Sequence, residues 1–343
     1  MNVHHLTTAP PPELAAALTR FEEQFRYPLG LGRFFRISHG EDYPRFFRAI
    51  GDAVCFVAER DGEVLGALGL AATRVRMTNG TERAAIYLGD LKVAPTARGG
   101  RVLMRLAEAA GAWCLARAEC GFCVVMDGTP VTPDRYTGRL GIPHFREVAK
   151  IAVLKLPTSS LTSPLEGEVA AKRRVRGEVL KMQPPTRNAG RCDLPLKGGG
   201  HEEGPECFTR LTAGRISTSG GNALERSDTS PLWLVAPDGS ACGRLEDTRR
   251  AKRLFADDGS EIAAAHLSCI GYANHPALAE LLHAACSVAS SRGFPALFSA
   301  VTREESDAIL AALNQPGVIV APATVFAANF ELHQLWSINT AEI

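Results

Sequence analysis

Charge of one sign and long apolar runs are both scarce in this sequence, and each scarcity excludes a class of protein. Lys and Arg number 38 against 37 Asp and Glu, a net charge of +1, so no global field draws the chain to nucleic acid or to a membrane surface. No stretch approaches the ~18 consecutive apolar residues of a membrane-spanning helix. We therefore expect a soluble protein that has neither nucleic acid nor a membrane as its partner.

Residues 1–21 lack the features of a secretory signal, because they have neither a basic start nor an apolar centre. We therefore expect the protein in the cytoplasm. Nine cysteines are scattered along the chain, several of them inside apolar stretches. This distribution is typical of reduced thiols that pack as small hydrophobic side chains.

The common metal-binding and catalytic motifs are also missing. Cys120 and Cys123 have CxxC spacing, but no second Cys or His pair accompanies them at metal-ligand spacing, and we interpret the pair as the start of a buried strand. The histidines form no convincing HxH or HxxxH pair, and neither a GxSxG elbow nor a Walker motif is present. The sequence therefore predicts no metal site.

Changes in composition divide the chain into three parts. Residues 1–156 alternate helix-like and strand-like patterns and predict a mixed α/β domain. Residues 157–230 are rich in Ser, Gly, Pro, Thr and Arg and poor in periodic apolar positions, so we predict a disordered linker there. Its basic run at 172–176 is either a nucleic-acid patch or part of a solvated insertion. Residues 231–343 return to a globular pattern.

The third part repeats two landmarks of the first. An Asp-Gly turn that another glycine follows four residues later occurs at Gly62 and again at Gly239. A helix end followed by Gly-Phe and a buried strand occurs at Gly121 and again at Gly293. Because nearly the same number of residues separates the members of each pair, the sequence predicts a duplicated fold.

A basic glycine turn lies between a predicted strand at 86–93 and a predicted helix. The turn reads Arg98-Gly99-Gly100-Arg101-Val102-Leu103. A helix start presents unpaired backbone N–H groups and the positive end of the helix dipole, and glycines let a phosphate approach those groups closely. The strand, turn and helix together predict a cradle for a pyrophosphate.

This segment resembles the GNAT superfamily of acyl-CoA N-acyltransferases, whose signature V-x-P-x-x-R-G-x-G-x-G/A-x-x-L follows a strand in the same context. Five positions of the signature are matched, by Val93, Pro95, Arg98, Gly99 and Leu106. The two later glycines fall on Arg101 and Leu103. Arg101 either supplies a charge to a phosphate or marks a site that no longer binds CoA.

The resemblance covers residues 45–156 well and the C-terminal half weakly. It implies an α/β fold, in the α+β sense, of two GNAT-like domains, each a mixed but mostly antiparallel sheet flanked by helices, joined by a low-complexity insertion. It implies an acyltransferase domain at 1–156 and a degenerate domain at 231–343 that shapes or covers the acceptor site. The halves would form an intramolecular pseudo-dimer, so that a single chain can act as a monomer.

The resemblance also implies how an acyl-CoA co-substrate binds. The backbone of a splayed strand, here Leu91, Lys92 and Val93, pairs with the pantetheine arm. The phosphates meet the basic turn, whose residues are Arg98, Gly99, Gly100, Arg101, Val102 and Leu103. The implied reaction moves an acyl group, acetyl in the first instance, to a primary amine by direct attack on the thioester, without a metal.

Asp90 and Tyr136 are the candidate catalytic residues. An amine is protonated at neutral pH, so a base must remove its proton; Asp90 is either that base or a structural carboxylate. The commonest base position of relatives falls on Gly89, and adjacent strand residues point to opposite faces. Tyr136 is either the acid for the leaving thiolate, although the family's position falls on Thr137, or a packing tyrosine.

Two functions therefore stay open. The first is an N-acyltransferase that acts on a small-molecule or peptide amine, which the strand and the Arg98-Gly99-Gly100 turn favour. The alternative is a non-catalytic acyl-CoA sensor or interaction protein on a degenerate GNAT fold, which the replaced glycines and the displaced tyrosine favour.

Overall fold

The computed structural model describes residues 1–30, 32–136, 142–158 and 203–343. The helices in these ranges are α1 (Pro12–Glu22), α2 (Arg45–Arg48), α3 (Val102–Leu115), α4 (Glu203–Leu211), α5 (Ala223–Arg226), α6 (His275–Ser291) and α7 (Ser306–Leu313). Single 3-10 turns occupy Pro95–Ala97, Pro133–Tyr136 and Thr340–Glu342.

The strands outnumber the helices and supply most of the framework. In chain order they are β1 (Asn2–Leu6), β2 (Tyr27–Pro28), β3 (Phe34–Ser38), β4 (Asp52–Arg60), β5 (Glu63–Arg76), β6 (Glu82–Val93), β7 (Gly121–Met126), β8 (Arg146–Pro157), β9 (Arg215–Thr218), β10 (Leu232–Val235), β11 (Ala241–Glu246), β12 (Arg253–Ala256), β13 (Ala264–Tyr272), β14 (Ala296–Thr302), β15 (Ile319–Ala328) and β16 (Leu335–Ser337).

One sheet of thirteen strands runs through both halves of the chain, in the order β1-β4-β5-β6-β7-β15-β8-β14-β13-β11-β10, with β9 pairing β5 and β16. It is antiparallel except where β6 meets β7, β13 meets β14, and β9 meets β16. At its centre β15 of the C-terminal half lies between β7 and β8, while β8 pairs with β14. Each half therefore completes its sheet with a strand of the other half.

A second, three-stranded sheet also joins the halves, because β12 of the C-terminal half pairs with β3, which pairs with β2. The duplicated turns predicted from the sequence are present. Asp61 and Gly62 both adopt positive φ, 55° and 81°, as a two-residue hairpin turn with right-handed strand twist requires. Gly239, at the corresponding position of the second half, has a φ of 68°.

The core lies on both faces of the large sheet. On one face α1 and α2 bury Leu18, Phe21 and Phe47 against β4, β5 and β6. On the other face α3 packs through Val102 and Leu106, and a further apolar layer lies beneath α6 and α7. The eight cysteines of the described ranges are all free. No helix in the described ranges is long and apolar enough to cross a membrane.

The prediction of a disordered linker is wrong for residues 203–230. They form α4, β9 and α5, and β9 pairs with the edge of β5. Apolar periodicity missed this segment because part of its burial is polar: Arg226 is fully buried and ion-paired to Glu246 at 2.8 Å. Residues 159–202, with the basic run at 172–176, lie outside the described residues.

Candidate active site

The site begins where β6 separates from its neighbour. β6 and β7 pair only at Ile86–Gly121 and Tyr87–Phe122. Beyond Tyr87 the strands diverge, so the edge of β6 that faces β7 is left without that partner from Leu88 to Val93. This is the splayed strand that the resemblance implied.

A β-bulge at Asp90 reorients the side chains at this point. Leu68 of β5 faces both Asp90 and Leu91, since the register between the strands shifts there, and Asp90 adopts a left-handed φ of 54°. The expected strand alternation therefore fails: Gly89 and Asp90 lie on the same, helix-covered face, whereas Leu91 is 46% exposed. The bulge therefore places the Asp90 side chain on the same face as Gly89, and the role of Asp90 as a base stays a prediction.

The short helix α2 packs against β5 and β6 beneath the site. The tip of the Phe47 ring packs against two glycines, because a Cβ at Gly69 would come within 2.0 Å of Phe47 Cζ and one at Gly89 within 2.9 Å of its Cε1. This close approach brings Tyr43, which is fully buried, beside β6. Its hydroxyl donates to Asp90 Oδ2 at 3.2 Å.

Asp90 belongs to a buried cluster of charged side chains. His39 Nε2 and Lys92 Nζ lie 3.3 and 3.2 Å from Asp90 Oδ2. On its other side, His39 Nδ1 lies 2.6 Å from Glu22 Oε1, while Glu22 Oε2 accepts the backbone N–H of His39 at 3.0 Å. Lys92 Nζ also lies 3.5 Å from Glu22 Oε1. Asp90, at 11% exposure, is the most accessible of the four side chains.

Burial and charge act in opposite directions on this cluster. Burial would raise the pKa of Asp90, but the charges of Lys92 and His39 outweigh it and hold that pKa below its ordinary value. Burial would lower the pKa of Lys92, but Asp90, Tyr27 and Glu22 raise it well above the usual range. Burial raises the pKa of Tyr43, so its hydroxyl stays a hydrogen-bond donor.

The ligand atoms of Glu22, His39 and Asp90 lie within 4.8 Å of one another, close enough to hold a metal ion. The Lys92 ammonium, however, lies against the same two carboxylates. It supplies the positive charge that a cation would bring, so we assign no metal to the cluster.

The basic turn follows β6 and opens α3. Gly99 has a φ of 78°, and no atom lies within 4 Å of the position of a Cβ there, so the glycine serves backbone conformation rather than packing. Arg101 occupies the N-cap of α3, and no side chain caps the helix. Arg98, Gly99, Gly100 and Arg101 are all exposed. The first turn of α3 therefore offers backbone N–H groups and two arginines to solvent.

The other predicted residues have mixed outcomes. Val102 is buried against the sheet and Leu103 is half-buried. Lys92 was predicted only for its backbone, yet its side chain carries the central charge of the cluster. Tyr136 ends the 3-10 turn Pro133–Tyr136, but its side chain and Thr137 lie outside the described residues, so its role as acid stays a prediction.

The sequence analysis missed Glu22, His39 and Tyr43. Glu22 ends α1, one position from Phe21 and four from Leu18, on the buried face of that helix. An acidic residue on an apolar helix face is a signal that could have found it. His39 follows β3, whose position depends on pairing with β12 of the other half, and no local pattern reveals that contact.

The second half contains the same bulge. Gly243 of β11 faces both Cys269 and Ile270, and Cys269 has a φ of 50°. In the second half, however, residues after β16 form hydrogen bonds with the bulge and with the two strands beside it. Asn339 Oδ1 accepts the Cys269 backbone N–H at 2.7 Å, and Thr340 Oγ1 lies 3.1 Å from His266 on β13 and 3.4 Å from a β14 carbonyl oxygen.

The helix that follows the second bulge is capped. Asn274 caps α6 by accepting the backbone N–H of Ala277 at 2.9 Å. A cavity of about 10 Å³ lies between β13 and β14, beside Arg215, Tyr272 and Trp336. Among the described residues, the second half therefore repeats the bulge with its backbone N–H and the following helix start already hydrogen-bonded by the chain itself.

The second half does contribute one charge to the first. Lys252, directly before β12, is buried with Nζ 4.2 Å from the centre of the Phe46 ring, and it donates to the main-chain oxygen of Ile343. Burial lowers the pKa of Lys252 to about 7; Asp90 opposes that shift, whereas Arg226 and Lys92 add to it. Lys252 is therefore a buried lysine whose charged form is disfavoured by its surroundings.

Comparison with solved structures places the fold. A crystal structure of Saccharomyces cerevisiae N-myristoyltransferase with bound myristoyl-CoA aligns with 99% of this chain and 87% of its own, at a TM-score of 0.59 and 10% identity. A second structure of that enzyme, with myristoyl-CoA and inhibitors, aligns over 99% and 83%, at 0.60 and 11%. A GCN5-related N-acetyltransferase from Anabaena variabilis aligns over 95% and 72%, at 0.46 and 15%.

No protein-family profile and no curated protein sequence matches the chain. The structural likeness to N-myristoyltransferase shows a GNAT-like acyl-CoA N-acyltransferase fold in two halves. The fold class predicted from the sequence is confirmed.

Proposed function

We propose that the protein transfers an acyl group from an acyl-CoA to an amine at the β6 bulge. The observation that carries the proposal is the uncapped start of α3, with exposed Arg98 and Arg101, directly after the splayed end of β6. A free helix N-terminus flanked by two guanidinium groups suits a pyrophosphate. The N-myristoyltransferase structures, which share the fold, contain myristoyl-CoA.

In the proposed reaction the phosphates bind at the turn 98–103, and the pantetheine arm pairs with Leu91, Lys92 and Val93. A backbone N–H of the bulged strand polarises the thioester carbonyl. The amine binds at Asp90, the accessible carboxylate of the cluster. As the amine attacks, a C–N bond forms and the C–S bond breaks, so the products are an amide and a thiol.

Acyl length and acceptor are the finer parts of the proposal. We propose acetyl-CoA as the first substrate to test and myristoyl-CoA as the second. Leu91, an apolar side chain that is 46% exposed at the bulge, suits either a short or a long acyl chain. The acceptor that we propose is the one the GNAT resemblance implies, a primary amine on a small molecule or a peptide, which would bind beside Asp90.

One observation favours the non-catalytic alternative, an acyl-CoA sensor. Lys92 and His39 hold the pKa of Asp90 below its ordinary value, and a carboxylate of lowered pKa is a weak base. On this alternative the cluster is a structural support, and the turn binds acyl-CoA without turnover.

Two measurements separate the candidates. Calorimetric titration with acetyl-CoA and with myristoyl-CoA tests binding, and release of free thiol in the presence of a primary-amine panel tests transfer. Binding with amine-dependent thiol release supports the enzyme, and Asp90→Asn should then lower the rate about 100-fold. Binding without release from any amine favours the sensor. Absence of binding by both acyl-CoAs contradicts both functions.

A further inference from the structure

We propose that Phe47 limits the length of the acyl group and confines the proposed transfer to short chains such as acetyl. The inference rests on the proposed acyl transfer, and it decides between the two co-substrates named there, acetyl-CoA and myristoyl-CoA. Phe47 is a specificity-determining residue in this account rather than a catalytic one, because it meets the acyl chain and not the reacting atoms.

The direction of the acyl chain is the first step of the argument. The helix that begins at the basic turn, α3, packs on one face of the large sheet through Val102 and Leu106, whereas α1 and α2 cover the opposite face. β6 and β7 diverge beyond Tyr87. A CoA whose phosphates meet the start of α3 therefore extends its thioester between these two strands, and the acyl group points towards the face that α1 and α2 cover.

The shape of the sheet on that face is the second step. Gly69 of β5 and Gly89 of β6 lie directly opposite each other, immediately before the bulge at Asp90. Two neighbouring glycines leave a hollow in the surface of a sheet, because neither has a side chain to fill it. The hollow therefore adjoins Asp90, beside which the acceptor is proposed to bind.

Phe47 occupies this hollow, which is the third step. A Cβ at Gly69 would lie 2.0 Å from Phe47 Cζ, and one at Gly89 would lie 2.9 Å from Phe47 Cε1. The tip of the ring therefore takes the space of the two missing side chains. Phe47 is fully buried. The space beside the bulge that acyl carbons could use is thus already filled by the protein.

Neighbouring aromatic rings continue this packing across the two strands. Ring centroids lie 6.5 Å apart for Phe47 and Tyr87, 5.5 Å for Tyr87 and Phe122, and 5.6 Å for Phe122 and Trp336. Tyr87 and Phe122 form the last pair before β6 and β7 diverge, and all four residues belong to the same buried cluster. A row of rings therefore closes the narrow end of the gap on the face that the acyl group would enter.

The limit on chain length follows from this packing. An acetyl group adds one methyl beyond the thioester carbonyl, whereas each further methylene must enter space that side chains already fill. Extra carbon atoms in a packed interior force side chains or backbone to move, which is unfavourable. Phe47 is the ring that a variant can remove, because it belongs to the four-residue helix α2, while Tyr87 and Phe122 are part of the paired sheet.

The first test uses the wild-type protein with acetyl-CoA, hexanoyl-CoA and myristoyl-CoA and the best amine of the panel. Amine-dependent thiol release should be fastest with acetyl-CoA, and kcat/KM should fall about 100-fold from acetyl-CoA to hexanoyl-CoA. Transfer from hexanoyl-CoA or myristoyl-CoA that equals transfer from acetyl-CoA overturns the inference while acyl transfer stands. Absence of release with all three overturns the proposed transfer together with the inference.

Two truncations in α2 assign the limit to a residue. Phe47→Ala uncovers the hollow and should raise the ratio of kcat/KM for hexanoyl-CoA over acetyl-CoA about 100-fold. Phe46→Ala is the matched control, since it removes a buried ring of the same helix that contacts Lys252, and it should keep the wild-type ratio. Phe47→Leu should raise the ratio about tenfold and gives the answer if Phe47→Ala does not fold. An unchanged ratio in a folded Phe47 variant, or an equal change in Phe46→Ala, overturns the inference.

Binding provides a readout that needs no amine. In calorimetric titrations Phe47→Ala should bind hexanoyl-CoA about tenfold more tightly than the wild type does, because further methylenes are buried. The affinity for CoA itself should stay unchanged, since its phosphates meet the turn 98–103 on the other face. An equal change in the affinities for CoA and hexanoyl-CoA would show a general structural effect of Phe47 and would overturn its role in acyl length.

Discussion

The two halves of the molecule contain the same backbone device and use it differently. Asp90 in β6 and Cys269 in β13 both occupy a bulge with positive φ, next to a strand that splays away. In the second half Asn339 accepts the N–H of the bulge and Asn274 caps the following helix. In the first half the corresponding helix is uncapped. The comparison teaches that a bulge beside a splayed strand is common to both halves and does not by itself make a binding site. The halves differ in whether the chain already occupies the backbone groups at the bulge and at the start of the following helix.

The halves also differ in how they bury a lysine. Lys92 lies between two carboxylates, which raise its pKa against the effect of burial. Lys252 lies over a phenylalanine ring, and burial lowers its pKa to about 7. The charge of Lys92 is stabilised by the two carboxylates beside it. The charge of Lys252 is disfavoured by burial.

The largest expected effect is a loss of stability when the buried ion pair of the second half is broken. Glu246 and Arg226 are both fully buried and 2.8 Å apart. Glu246→Gln removes the closer carboxylate of Arg226, which keeps only Glu342 at 3.8 Å, and it also removes the partner of Arg244. We expect the free energy of unfolding in denaturant to fall by about 3–5 kcal/mol. Glu82→Gln, which removes an exposed pair with Arg74, is the matched control and should cost below about 1 kcal/mol. A loss as small as that of the control would contradict a stabilising role for the buried Arg226–Glu246 pair.

The next effect concerns Lys252 and depends on pH. Because its folded-state pKa is about 7, the unfolded chain binds more protons between about pH 7 and 10, so stability should rise with pH through that window. Lys252→Met removes the titrating group, so it should remove this slope. The exposed Lys150→Met is the control. Chemical unfolding at several pH values gives the answer, and an unchanged slope refutes the assignment.

A smaller effect tests the open turn of the first half. Replacing Arg98 and Arg101 together by alanine should weaken acyl-CoA binding about 100-fold, since two charge-assisted hydrogen bonds to phosphate are lost. The paired control is Arg249→Ala with Arg250→Ala, two half-exposed arginines of the second half, which should bind as wild type does. Equal affinities for both double variants, measured by calorimetry, would place the phosphates elsewhere.

The smallest expected effect comes from removing the helix cap of the second half and introducing one in the first half. Asn274→Ala should destabilise the protein by about 1 kcal/mol without changing acyl-CoA affinity. Arg101→Asn should do the reverse, stabilising α3 by a similar amount while it weakens binding about tenfold. Thermal unfolding and calorimetry of both variants provide the comparison. A loss of affinity in Asn274→Ala would show that the capped helix also serves ligand binding.

Much of the fold could be predicted from the sequence because its signals are local. The Asp61-Gly62 hairpin, the helix after Arg101 and the repeat at Gly239 each follow from neighbouring residues. The exchange of β8 and β15 between the halves could not be predicted, because the sequence of an apolar strand does not show which half of the sheet it joins. The bulge at Asp90 was also hidden, since no glycine marks its left-handed backbone.

The site divides in the same way. The turn at 98–103 was predicted because a strand, two glycines and a helix are consecutive in the chain. Glu22 and His39 were missed because they reach Asp90 through the packing of α1 and through the pairing of β3 with β12. Buried charge networks depend on such distant contacts, and apolar periodicity does not report them.

The most direct test of the central claim is amide hydrogen exchange of the full chain with and without saturating acetyl-CoA or myristoyl-CoA. The two-half account predicts slowed exchange in 88–104, which spans the bulge, the basic turn and the first turn of α3. It predicts no change in 269–277, the corresponding segment of the second half. Protection confined to 269–277, or protection of neither segment by either acyl-CoA, would contradict the account.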